Sequence, residues 1–221
     1  MTQIDKKQVG ISNTRQYTKN VENITFEVSK MAKQAKTLTQ QEFRRVLDYI
    51  ATRKHSARNR AMLHLMYCAG TRVGETSALR IEDAVDCEGN VKREILLKSD
   101  ITKGNVARTI YVSDKLYKEL DAYVKTLDIT DRKRKLFYSQ KKTSDGFSPN
   151  TLTQYWHYLF SACGIDNASS HSMRRSFATQ ISSKGVGIRV LQKLMGHRSA
   201  QTTMVYIDAS DDMMRKAVEL V

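Results

Sequence analysis

The chain has 221 residues, 40% hydrophobic and 27% charged, with 37 Lys and Arg against 23 Asp and Glu for a formal net charge of +14. That length suits one substantial domain with room for a small appendage; no apolar run reaches membrane-spanning length and the N-terminus lacks a signal-peptide pattern, so a cytoplasmic protein is expected. The positive excess is spread along the chain rather than gathered in one amphipathic helix, which favours a nucleic acid over an anionic membrane as partner, while the scattered Cys68, Cys87 and Cys163 argue against a disulfide framework or a zinc site.

Residues 1–36 are polar and mildly basic, with Val21, Ile24, Val28 and Met31 at helical spacing. A short amphipathic helix fits there, but the segment is too polar to bury a core of its own. Thr39-Gln40-Gln41-Glu42 is a capping-box pattern that opens a helix to about Thr52, with Phe43, Val46, Leu47 and Ile50 on one face. A second helix is expected from about Ser56 to Cys68, closed by Ala69-Gly70, and a short one from Val73 to Leu79. The period then changes. Ile81–Asp86, Val91–Lys98 and Val106–Val112 read as strands, with Glu88-Gly89-Asn90 and Gly104-Asn105 as turns. Helices resume over Ser113–Leu127. Arg132-Lys133-Arg134-Lys135 reads as a solvated loop, and Leu136-Phe137-Tyr138 as a short extended piece. Ser148-Pro149-Asn150 starts a helix that ends near Gly164. The last third reads as a helix to Lys184-Gly185, a helix to Met195, a turn at Gly196, a helix through Tyr206 and a final helix over Asp211–Val221. The expected fold is mainly α with a small three-stranded antiparallel β-sheet.

Two patches concentrate chemistry. His171 and Arg174 are three apart on one helix and share a face, although Arg175 could equally be the one that points outward. Gly196-His197 follows a helix, and Tyr206 comes shortly after. Taken singly, each is an ordinary cap, core or surface residue. A phenol, two imidazoles and a guanidinium together suit metal-free attack on a phosphodiester. A free phenol is ionised only about once in a thousand at neutral pH, so such a site must assist its deprotonation. It must also hold the phosphate oxygens, for which guanidinium forks are suited, and protonate the leaving oxygen.

The string His171-Ser172-Met173-Arg174-Arg175-Ser176-Phe177-Ala178-Thr179, then Leu194-Met195-Gly196-His197, then Thr202-Thr203-Met204-Val205-Tyr206 resembles the C-terminal signature of tyrosine recombinases, above all phage integrases and Xer-type recombinases. Ala69-Gly70-Thr71-Arg72-Val73-Gly74-Glu75 resembles the family's first Arg box, and Thr102-Lys103-Gly104-Asn105 stands where the family carries a hairpin Lys, with Lys98 as competitor. The resemblance implies the tyrosine recombinase catalytic-domain fold over residues 37–221. It implies a site-specific DNA recombinase of integrase or invertase type that works through a covalent 3′-phosphotyrosine intermediate, with no cofactor and no metal. Tyr206 would attack, Arg72 and Arg174 would clamp the phosphate, His171 would take the phenolic proton or bond the phosphate, His197 would donate to the phosphate and Lys103 would protonate the leaving 5′ oxygen. Glu75 would orient Arg72.

Departures are few. Arg175 stands where many members carry His, and Met173 replaces a commoner Leu. Residues 1–36 cannot form the separate core-binding domain of longer members, so the chain is either a naturally compact recombinase, resembling the fimbrial-switch invertases, or a fragment; Met1-Thr2-Gln3 favours a natural start. The implied partners are double-stranded DNA and further copies of the chain, forming a tetramer on DNA from a monomer or weak dimer, with the protein at the nucleoid when bound. A type IB-like topoisomerase, or a DNA-binding regulator that does not cut, are the competing readings.

Overall fold

The computed structural model describes residues 35–102, 106–139, 145–206, 214–215 and 218–219. The expected helices over 1–36 and 211–221, the Gly104-Asn105 turn and Lys103 lie wholly or largely outside them. The centre of the fold is helix α2 (Ser56–Ala69), which follows α1 (Gln40–Ala51). Thr39 caps α1 with a complete capping box, its hydroxyl accepting from Glu42 N–H and the Glu42 carboxylate accepting from Thr39 N–H. Only one face of α1 is apolar, and Phe43, Val46 and Ile50 turn inward. In α2 the run Ala61-Met62-Leu63-His64-Leu65-Met66-Tyr67 is buried on every side, as an all-round apolar helix must be. Short helices α3 (Val73–Ala78) and α4 (Ile81–Ala84) follow.

The sheet is a correction to the sequence reading. Among the described residues it has two strands, β1 (Glu94–Leu97) and β2 (Arg108–Tyr111), paired antiparallel with Ile95 opposite Ile110 and Leu97 opposite Arg108. Ile81–Asp86 is not the third strand. Ile81 and Ala84 are the buried positions, a helical spacing, and the Asp83 carboxylate accepts from Arg80 N–H to cap the turn. All that remains of the expected pairing is a single bridge between Val85 and Val91.

Helix α5 (Asp114–Val124) starts at Ser113, whose hydroxyl accepts from Leu116 N–H, and α6 (Pro149–Ala162) starts at Ser148 with Pro in its first turn. Both caps stand where the sequence placed them. Arg60 on α2 and Glu119 on α5 form an ion pair at 2.5 Å that joins the two helices. Helix α7 (Ser170–Ser183) packs on α2 and carries Met173 and Phe177 inward. It is followed by α8 (Ile188–Met195) and α9 (Ala200–Met204). The helix expected to run through Tyr206 ends at Met204, which leaves Tyr206 in the turn beyond it. No helix among the described residues is long and apolar enough to cross a membrane.

Candidate active site

Gly70 closes α2 in the left-handed region, with φ of 59°. A Cβ there would lie 2.5 Å from Cδ1 of the Phe177 ring, so this turn admits only glycine in close contact with α7. The tight turn delivers Arg72 to the start of α3 in extended conformation. Glu75, one turn on, is 1% exposed and holds Arg72 twice: Oε1 accepts from Nη1 at 2.7 Å and Oε2 accepts from the backbone N–H at 2.8 Å. Arg72 itself keeps 21% of its side chain exposed.

The sequence reading missed Arg108. It sits on β2 on the same face as Ile110, and its Nη2 donates to Glu75 Oε2 at 2.7 Å. Burial alone would raise the Glu75 carboxyl; the Arg108 charge and the hydrogen bonds outweigh it and hold the group below the usual carboxylate range. Strand alternation was the available signal. An inward position occupied by Arg is a buried charge, and a buried charge needs a partner.

Arg174 is 3% exposed. Its Nη1 donates to the Gly70 carbonyl, and its Nη2 donates to the Met195 carbonyl at 2.5 Å and to His197 Nε2 at 3.1 Å. Burial and then the Arg72 charge push its ionisation down from the ordinary arginine value. It remains a cation at neutral pH because a free guanidinium loses its proton only far above it. His171 opens the same helix one turn earlier, exposed at its first turn, where the Ser169 hydroxyl accepts its backbone N–H.

Gly196 ends α8 with φ of 61° and turns the chain so that His197 faces back towards Arg174. Nδ1 of His197 lies 2.9 Å from the Thr203 hydroxyl. Nε2 accepts from Arg174, so these partners fit a neutral imidazole with its hydrogen on Nδ1. Burial first, then the Arg174 and Arg72 charges, push His197 down to about 4. The Tyr206 ring stacks on His197 with centroids 5.8 Å apart and 18° between planes, while the Arg175 guanidinium lies 6.0 Å from the Tyr206 ring centre. Arg174, His197 and Tyr206 are thus in contact in series, and the Arg72 charge acts on both Arg174 and His197. Lys98, at 3.4 Å from an Asp83 carboxylate oxygen, is tied to α4. No group of three or more His, Cys, Asp or Glu among the described residues is placed to hold a metal ion.

Residues 36–213 match the phage integrase family. The chain is 31% identical over 185 residues to tyrosine recombinase XerA of Pyrococcus horikoshii, a match covering 83% of this chain and 60% of that protein. It is 29% identical over 214 residues to transposase A from transposon Tn554 of Staphylococcus aureus, covering 92% of this chain and 56% of the other. The crystal structure of XerA recombinase superposes with a TM-score of 0.66 at 26% identity, over 83% of this chain and 64% of that one. The Tn1549 transposon integrase, in complex with a circular intermediate DNA, shares the fold with a TM-score of 0.65 at 18% identity, over 86% of this chain and 66% of the other. The chain therefore spans about 60% of the length of the XerA relative.

Proposed function

Because the chain belongs to the phage integrase family of tyrosine recombinases, we propose that it cuts and rejoins DNA at specific sites through a covalent bond between Tyr206 and the 3′ phosphate of the broken strand. The observation that supports this reading best is the Arg174–His197–Tyr206 cluster. A buried guanidinium contacts an imidazole that is itself stacked on a phenol, and Glu75 holds Arg72 where its charge acts on both Arg174 and His197.

The chemistry follows from these groups. The Arg72 charge acts on Arg174 and on His197 beside it, so two guanidiniums give the site excess positive charge. A phosphodiester neutralises it, and the charge growing on its non-bridging oxygens during attack is met by donors already in place. The Tyr206 oxygen forms a bond to phosphorus as its proton passes to His171 or solvent, and the 5′ oxygen departs with a proton from Lys103. Because Lys98 is engaged with Asp83, we assign that proton to Lys103. The Thr102 hydroxyl donates to the Val106 carbonyl at 2.8 Å and so links the two residues on either side of 103–105. The Thr203 hydroxyl can donate as well as accept. His197 can therefore move its hydrogen to Nε2 and donate to phosphate when Arg174 turns to the same anion. The bond energy is stored in the phosphotyrosine, so a free 5′ hydroxyl reverses the step with no cofactor.

The net charge of +14 supports phosphate-dominated contacts to double-stranded DNA, with affinity that falls steeply with salt. Strand exchange by four copies at paired sites, in a protein that is monomeric or weakly dimeric when free, is the assembly we propose. Sizing with and without DNA tests it.

The experiment is a nicked suicide duplex from which the short fragment carrying the released 5′ hydroxyl diffuses away. Wild-type protein is expected to accumulate a covalent adduct and Tyr206→Phe none, with DNA binding retained in both. Adduct on any sequence together with supercoil relaxation would instead assign a topoisomerase. Binding without adduct would assign a regulator.

A further inference from the structure

No step above uses Arg108. We propose that Arg108 is a positioning residue for strand cleavage, a buried strut that couples the aim of Arg72, through Glu75, to the placement of His197, through the end of α8. The proposal rests on the cleavage reading of Tyr206 given above.

The strut has two ends. Nη2 donates to Glu75 Oε2 at 2.7 Å, the same oxygen that receives Arg72 N–H. Nη1 donates to the Leu194 carbonyl at 2.7 Å. The next carbonyl along, that of Met195, is held by Arg174. Two arginines from different elements thus take the two consecutive carbonyls that lead into Gly196 and His197. The stem of Arg108 also sets that turn: a Cβ on Gly196 would lie 2.5 Å from Arg108 Cδ, so the chain passes against the side chain without space for a methyl.

The side chain is 4% exposed and its charge is met by Glu75, so it is not a phosphate ligand. Nor does packing explain it. The position lies opposite Leu97 on a strand whose other inward residue is Ile110, where an aliphatic side chain would serve. Arg108 instead leaves its Nε buried with no hydrogen-bond partner. A buried unpaired donor is costly, and its retention points to a demand on the two terminal nitrogens that outweighs it. Without the strut the Glu75 carboxylate loses one of its two guanidiniums and Arg72 is free to re-aim. The last turn of α8 loses a carbonyl partner, and His197 loses one of the charges that keep it neutral.

The test uses the full chain with Arg108→Met, which keeps the stem without charge, and Arg108→Lys, which can reach Glu75 but not both partners. On the nicked duplex, Arg108→Met is expected to lower the cleavage rate at saturating DNA about 100-fold, the scale of a misplaced reacting group, with the half-saturating DNA concentration unchanged. Arg108→Lys is expected to recover part of that rate. In the free protein, NMR titration should show the His197 imidazole moving up towards the ordinary histidine value in Arg108→Met and staying put in Arg108→Lys. A folded Arg108→Met that cleaves like wild type overturns the proposal, as does a loss that tracks DNA affinity. A rate loss with no rescue by Lys and an unmoved His197 also overturns it, because that is the signature of a merely structural residue. If Arg108→Met does not fold, Arg108→Lys decides alone: a smaller loss at saturating DNA supports the strut and a wild-type rate overturns it. If the wild type forms no adduct, the cleavage reading fails by itself, and the His197 titration still supports or overturns the coupling.

Discussion

Arg174 and Tyr206 belong to one site but stand in opposite surroundings. Arg174 lies in the middle of a 14-residue helix, 3% exposed, with its nitrogens fixed by carbonyls from two other elements. Tyr206 follows a five-residue helix in which Thr203 is the buried residue, beside Met204 at 57% and Val205 at 49% exposure. The difference teaches which part of the site is prepared by folding. The groups that would stabilise charge are fixed in the core, where a low-dielectric setting makes preorganised donors most effective. The group that would form and break a covalent bond is carried on a lightly packed element.

The comparison is broken most severely at the buried half. Glu75→Ala removes the carboxylate that two guanidiniums share and should cost about 3–5 kcal/mol of stability, the scale for orphaning a buried charge, read by urea unfolding. A loss below 1 kcal/mol would mean the arginines are not held as described. Arg174→Ala should lower adduct formation at saturating DNA by about 10²–10³, as for other preorganised donors. Gly70→Ala meets both a left-handed backbone and the Phe177 ring and should cost about 2–4 kcal/mol, whereas Gly185→Ala, with φ of 77° but open space around it, should cost only about 1 kcal/mol. Equal effects would show that the ring contact is unimportant. On the lightly packed side, Thr203→Val removes the Nδ1 partner of His197 and should cost about 1 kcal/mol with a modest fall in cleavage.

Acid sharpens the same contrast. The native state holds His197 down to about 4 and also lowers His64, chiefly by burial, while an unfolded histidine titrates near 6.5. Between those values the unfolded chain binds more protons. The stability contributed is therefore complete above the unfolded value and is lost as pH falls towards the folded one. His197→Gln should flatten part of that dependence in unfolding curves measured across this window. An unchanged slope would leave His64 as its source.

Much of this was legible from local signals. The capping box at Thr39, the caps at Ser113 and Ser148 and the glycine ends at Gly70 and Gly196 each specify a boundary through a hydrogen bond or a φ value within a few residues. The spacing of His171, Arg174, His197 and Tyr206 pointed to one cluster, and the contacts Arg174–His197 and His197–Tyr206 join three of the four. Ile81–Asp86 misled because Ile and Val favour strands by propensity, while the capping link from Arg80 to Asp83 and the inward pair Ile81 and Ala84 select a helical turn. Arg108 was overlooked because its partners, Glu75 and Leu194, are 33 and 86 positions away. No local pattern carries such contacts, and an arginine in a strand reads first as an exposed residue.

The covalent bond itself decides the account. Protease digestion and mass spectrometry of the adduct formed on the nicked duplex should find the nucleotide fragment attached to the peptide that contains Tyr206, through its 3′ phosphate. Attachment at another tyrosine, or through a 5′ phosphate, would contradict it.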